Sequence, residues 1–84
     1  MTERYTLYHF PSCPYCALVR DFLDESGIDI ELRNIHADPQ AVHDLRTGGG
    51  STTVPCLRIR GDGKEEWMYE SLDIIEYLRS KRVA

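Results

Sequence analysis

Hydrophobic and polar positions along this chain sort into seven short elements. Residues 4–9, rich in tyrosine and leucine, have the composition of a strand. From Pro14 to about Ser26 the apolar residues recur at helical spacing. Leu18 and Phe22, joined by Val19 and Leu23, are expected to face inward, and Arg20, Asp21, Asp24 and Glu25 to face water. Gly27 suits a helix stop. Residues 28–35, IDIELRNI, alternate apolar and polar positions strictly, which predicts a half-buried strand. Asp38 and Pro39 are the cap and first turn of a second helix, which carries Val42 and Leu45 inward and ends at the Gly48-Gly49-Gly50 run. Residues 54–59 read as a third strand and 64–69 as a fourth. Between them lies a hairpin turn in which Gly61 and Gly63 are expected to supply positive φ. Glu70-Ser71 open the last helix, with Leu72, Ile75 and Leu78 toward the sheet.

The order is therefore βαβαββα, an α/β arrangement. A strand–helix–strand segment of this length implies a right-handed crossover and a parallel pair. Four strands with helices on both faces are the economical packing of these elements. Eighty-four residues suit one domain, 1–84, with one modest core.

Charge and composition narrow the function classes. The formal net charge is -4, and no Lys/Arg cluster offsets it, which speaks against a nucleic-acid binder. No apolar run approaches the about 18 residues of a membrane span, so no membrane partner is expected. Met1-Thr2-Glu3-Arg4 lacks a hydrophobic leader, and the expected compartment is a reducing cytoplasm. Three cysteines there do not form a structural disulfide framework, which leaves a catalytic or metal role for any close pair.

That pair is Cys13-Pro14-Tyr15-Cys16, at a strand-to-helix junction. The first-turn N–H groups of a helix lack intrahelical partners, and the helix dipole adds partial positive charge. A sulfur at Cys13 sits where those groups favour the thiolate, the reactive form. Cys16 follows one turn later on the same face, close enough to close a small disulfide ring. Pro14 falls at the first helical position, where its missing N–H costs nothing. A zinc site would need four ligands, and Cys56, His9, His36 and His43 supply no second paired motif, so no metal is expected. Cys56 reads as a small buried core residue, His36 and His43 as surface residues, and Trp67 and Tyr77 as packing residues.

Three motifs in this order carry a resemblance. Cys13-Pro14-Tyr15-Cys16, Thr53-Val54-Pro55 and Tyr69-Glu70-Ser71 with the following LDIIEYL make the chain resemble a glutaredoxin of the dithiol type. They also make it similar to the N-terminal domain of glutathione S-transferases. The resemblance implies the thioredoxin fold and glutathione as co-substrate. It implies a glutathione-dependent oxidoreductase, acting as a monomer, that reduces protein–glutathione mixed disulfides and protein disulfides. Cys13 is then the nucleophile and Cys16 the resolving thiol. Tyr15, Thr53, Val54, Pro55, Glu70 and Ser71 form the glutathione site, with a cis Pro55. Val54 would pair with the cysteinyl backbone of the ligand as an added strand. The helix N-terminus at Ser71 offers an anion site, and Glu70 an acceptor for the ligand's ammonium.

Two positions depart from the pattern. Phe10 stands where glutaredoxins usually carry lysine, and Ser51-Thr52 where they carry Arg, Lys or Gln. Both basic groups would meet the glycyl carboxylate of glutathione. His9 and Arg20 are the candidate supports at that end. Two other readings stay open. One is a glutathione-ligated iron–sulfur cluster bridging two subunits through Cys13, disfavoured by the bulk of Pro14-Tyr15 and a ready second thiol. The other is a stand-alone transferase-like module serving a dedicated protein partner.

Overall fold

The computed structural model of the chain describes residues 3–82; the reading of Met1-Thr2 as leaderless lies outside them. Strand β1 spans Arg4–His9, helix α1 Pro14–Ser26, β2 Glu31–Asn34 and α2 Pro39–Asp44, followed by one wide turn over Leu45–Gly49. Strand β3 spans Cys56–Gly61, β4 Lys64–Met68 and α3 Ser71–Arg82. The sheet order is β2-β1-β3-β4. β1 and β2 are parallel, with Leu7 opposite Leu32, while β3 runs antiparallel to both β1 and β4.

β1 and β3 lie in the middle of the sheet and are covered on both faces, because successive side chains point to opposite sides. Leu7, Leu57 and Ile59 pack with Val19 and Leu23 of α1 and Ile74 and Leu78 of α3. Tyr8 and Cys56 face the other way, onto Ala41 and Leu45 at α2. The β2 alternation therefore misleads in part. That strand is a short edge, Glu31–Asn34, with no strand beyond it among the described residues, and Leu32 remains 46% exposed.

Helix faces also differ from the expectation. α1 buries Cys16, Val19 and Leu23, whereas Leu18 is exposed. α3 buries Ile74 and Leu78, and Leu72 is the most open of the large apolar side chains at 72%. Both helices are rotated so that Leu18 and Leu72 leave the core. Ala41, not Val42, is the fully buried residue of α2. In the hairpin, Asp62 and Gly63 carry the positive φ values, 54° and 75°, while Gly61 stays in β3. Positive φ at both central residues suits a two-residue turn that matches strand twist.

Asp38 caps α2 as expected, its Oδ1 accepting from the N–H groups of Gln40 and Ala41. Arg33 on β2 ties that cap to the sheet through Asp38 at 2.8 Å and Asp44 at 3.1 Å. Arg58 on β3 meets Glu65 at 2.6 Å and lies over the Trp67 ring. Gly48 is required by a close approach: a Cβ built there would overlap the Trp67 indole. Gly48→Ala is expected to cost about 1–3 kcal/mol, the usual range for overpacking. Trp67 fluorescence followed through urea unfolding checks this; an unchanged midpoint and emission would refute the contact.

Candidate active site

The loop after β1 is a tight turn. The Cys13 N–H donates to the Phe10 carbonyl at 3.1 Å, with Pro11 at the position whose fixed φ suits such a turn. Cys13 is then the N-cap of α1, extended at φ -77° and ψ 115°, with Pro14 following in the first turn. Its Sγ accepts the Cys16 N–H at 3.2 Å. The sulfur thus takes the place of the serine or aspartate oxygen found at ordinary caps. All three cysteines are free thiols. Burial first, and the Cys13 sulfur second, hold the Cys16 thiol well above its ordinary range, so Cys16 keeps its proton while Cys13 reacts. Cys56 lies in the opposite core, where burial pushes its thiol up to about 12.

Arg20, one of the two candidate supports, faces the back of this loop. Its guanidinium donates to the carbonyls of Phe10 at 3.4 Å and Pro11 at 3.1 Å and reaches His9 Nδ1 at 3.1 Å. An arginine only donates, so His9 Nδ1 must accept, and the imidazole is neutral in this arrangement. Burial, then the Arg20 charge, lower the His9 pKa from its ordinary 6.5. Arg20 therefore holds the turn that carries Cys13, and His9 places no positive charge beside the sulfur.

The sign of the pH effect follows. The unfolded chain protonates His9 near the ordinary value, and the folded chain only below it. The stabilisation is complete above about 6.5 and is lost as pH falls through and below that range. The carboxylates of Asp38, Asp44 and Glu65, all lowered chiefly by hydrogen bonds, lose their share only in more acid solution. Urea midpoints measured between about pH 7.5 and 5.5 should fall for the native chain and fall less for His9→Gln, since the glutamine carbonyl can accept from Arg20 without titrating. Equal slopes would contradict the assignment.

A groove of about 570 Å³ opens beside Cys13. Tyr15 and Leu18 of α1 form one wall, Thr53, Val54 and Pro55 the floor, and Tyr69 through Asp73 the other wall. The Val54–Pro55 peptide is cis, and the Cys13 Sγ lies 4.0 Å from the Val54 carbonyl. The sheet ladder begins only at Cys56, leaving the Thr53-Val54 backbone outside it. At the other wall the Glu70 carbonyl accepts from Ile74 N–H at 2.9 Å, which makes Glu70 the cap of α3. The N–H groups of Ser71, Leu72 and Asp73 then have no intrahelical acceptor.

The structure thus brings Tyr15, Thr53, Val54, Pro55, Glu70 and Ser71 together around one groove; Cys13, 5% exposed, reaches it through the Val54 carbonyl of the floor, and Cys16 is fully buried. Leu18, Leu72 and Asp73 also line it and went unnoticed in the sequence, because helical spacing assigned the two leucines to the core. Tyr69 donates to the Ser51 carbonyl at 2.9 Å and ties the segment before Thr53 to this wall. Its place directly before Glu70-Ser71 was the available signal. Phe10 stacks on His36, with ring centroids 4.2 Å apart. Among the described residues no three His, Cys, Asp or Glu side chains converge on a metal position, and no helix is long and apolar enough to cross a membrane.

Comparison with known proteins places these features in a family. Residues 7–84 match the model described as glutathione S-transferase, N-terminal domain. The chain is 33% identical over 55 residues to the glutaredoxin of Neisseria meningitidis serogroup B, a match spanning 64% of this chain and 65% of that protein. Glutathione transferase Omega 2S from Trametes versicolor superposes with a TM-score of 0.73 at 25% identity, over 95% of this chain and 37% of the transferase. The glutaredoxin of Archaeoglobus fulgidus shares the fold, with a TM-score of 0.67 at 22% identity over 93% of this chain and 88% of its own. Maleylacetoacetate isomerase from Anaeromyxobacter dehalogenans, solved with bound GSH in the active site, gives 0.73 at 23% identity over 96% of this chain and 38% of the isomerase. The chain thus spans less than two thirds of the curated glutaredoxin and little over a third of the transferase. With its four-stranded mixed sheet, paired cysteines and cis-proline floor, it has the thioredoxin fold and belongs to the glutathione S-transferase N-terminal domain family.

Proposed function

We propose that this chain is a glutathione-linked thiol–disulfide oxidoreductase, in which Cys13 is the nucleophile and Cys16 the resolving thiol. The observation that carries it is the Cys13 sulfur capping α1, hydrogen-bonded by the Cys16 N–H, and lying against the Val54 carbonyl in the floor of the groove that Val54-Pro55 and Glu70-Ser71 line. The Cys13 thiolate attacks one sulfur of a protein–glutathione mixed disulfide. A new S–S bond to Cys13 forms, the old S–S bond breaks, and the departing protein thiolate takes a proton from water. A second glutathione thiolate then attacks the sulfur of the bound glutathione, forming oxidised glutathione and releasing the Cys13 thiolate; alternatively Cys16, after losing its proton, attacks the Cys13 sulfur and releases glutathione, and two further glutathiones reduce the resulting Cys13–Cys16 disulfide and leave as oxidised glutathione. Protein disulfides are reduced by the two-thiol form of the same exchange.

In this reading the cysteinyl backbone of glutathione pairs with Val54, outside the sheet ladder. The γ-glutamyl carboxylate meets the open N–H groups at the start of α3, and its ammonium meets Glu70. The glycyl end points toward Thr53 and the Phe10 side. The maleylacetoacetate isomerase of the same fold, solved with GSH in its active site, supports glutathione as the co-substrate. We further propose that the chain works as a monomer on glutathionylated and disulfide-bearing proteins in a reducing cytoplasm.

Oxidised glutathione tests the assignment directly. Intact mass after incubation should show one glutathione on the Cys16→Ser chain and none when Cys13 is also replaced. Labelling that persists without Cys13 would overturn the reading.

A further inference from the structure

Charge around the groove is one-sided. Among the described residues that line it, the charged side chains are Glu70 and Asp73, and no lysine or arginine joins them. Three of the arginines are engaged elsewhere. Arg20 is held by two loop carbonyls and His9. Arg33 is bound by Asp38 and Asp44, and Arg58 by Glu65 and the Tyr8 hydroxyl. Swinging Arg20 round to a ligand would strip the turn that presents Cys13. A tripeptide thiol such as glutathione brings two carboxylates and one ammonium. The groove has a place for the ammonium and, at the start of α3, for one carboxylate, with Asp73 already occupying that same helical turn.

The uncharged part of the surface points the same way. Among the described residues four large apolar side chains are exposed, and three of them, Tyr15, Leu18 and Leu72, rim this groove. The Val54 backbone between them lies outside the sheet and suits an extended segment. Such a rim covers little of a tripeptide but can bury the side chains flanking a cysteine within a longer chain.

Resting on the thiol-exchange reading above, we propose that the groove selects the cysteine of an extended polypeptide with a basic residue just before it. Asp73 and Glu70 read that positive charge, and such a segment is held in preference to a free tripeptide thiol. A polypeptide has no carboxylate at the position of the glycyl end, so the missing cation there costs it nothing. A lysine or arginine on the amino side of the cysteine takes the place of the ligand ammonium beside Glu70 and extends toward Asp73. Asp73 is then a specificity residue of the exchange.

The test uses the Cys16→Ser chain carrying glutathione on Cys13. Two end-blocked pentapeptides are added, alike except for lysine or glutamate before the central cysteine. Each exchange is thiol for thiol: peptide sulfur bonds to Cys13, and glutathione leaves with the proton. Mass spectrometry reads the equilibrium. The lysine peptide should displace glutathione with a constant above one, and exceed the glutamate peptide by about threefold or more at low salt, the scale of exposed charge pairs. That ratio should shrink in Asp73→Asn and at high salt. The peptides' own thiol acidities cancel when the native and Asp73→Asn ratios are compared. A ratio unmoved by Asp73→Asn and by salt, or a preference for glutathione over both peptides, would overturn the proposal and leave the exchange chemistry standing. Failure of Cys13 to exchange with any thiol would remove both.

Discussion

Cys13→Ser is expected to bring glutathione-coupled reduction of a mixed disulfide down to the uncatalysed background, whereas Cys16→Ser keeps the rate within about tenfold of the native chain. The asymmetry follows from which atoms serve the reacting sulfur. A serine hydroxyl in the place of Cys13 does not ionise near neutral pH, so the nucleophile is lost outright. The donor to Cys13 Sγ is the Cys16 backbone N–H, and that group survives when the Cys16 side chain is exchanged. The high pKa of the Cys16 thiol makes it a spectator in the first attack. It matters only in the second step, where glutathione can replace it. Reduction of protein disulfides, which lack a ready second thiol, should suffer far more in Cys16→Ser. Steady-state rates on a glutathionylated peptide and on a protein disulfide separate the two routes. Comparable losses in both single variants would show that Cys13 does not act alone in the first step.

The largest effect on stability is expected from Leu57→Ala. Leu57 is fully buried on central strand β3, opposite Leu7 on one side and Met68 on the other. It joins the helices α1 and α3 to the sheet through the cluster with Val19 and Ile74. Truncating such a leucine costs about 2–5 kcal/mol, the lost burial plus the cavity left behind. Native proteins are stable by only about 5–15 kcal/mol, so the variant loses a large share of its margin. Urea unfolding followed by circular dichroism reads the change as a lower midpoint at unchanged slope. A loss below about 1 kcal/mol would mean that the site collapses around the smaller side chain. Because β3 begins at Cys56, directly after the groove floor, partial opening of this strand should also weaken exchange at Cys13.

Much of this molecule is legible from one residue to the next. Seven elements in βαβαββα order follow from apolar spacing, from Pro14 and Pro39 in first turns, and from Gly27 as a stop. Local chemistry also marks Asp38 as a cap and Cys13-Pro14-Tyr15-Cys16 as a helix start, because a cap depends only on its own turn. Other features need the neighbours. Strict alternation in residues 28–35 suggests burial of Leu32, yet that residue is half open, because strand position in the sheet decides which face is covered.

The same holds for the candidate site. The three motifs could be named from the sequence alone, and so could the departures at Phe10, Ser51 and Thr52. Only the fold could turn Leu18 and Leu72 out of the core and onto one groove with Asp73, since helical periodicity identifies a stripe without fixing its rotation against the sheet. Only the fold could show that Arg20, free by its position in the sequence, is held by the carbonyls of the Cys13 turn and by His9. Elements and reactive sulfurs follow from local spacing. The groove's rim and floor come from three separate segments, at Tyr15-Leu18, Thr53-Pro55 and Tyr69-Asp73, brought side by side by packing.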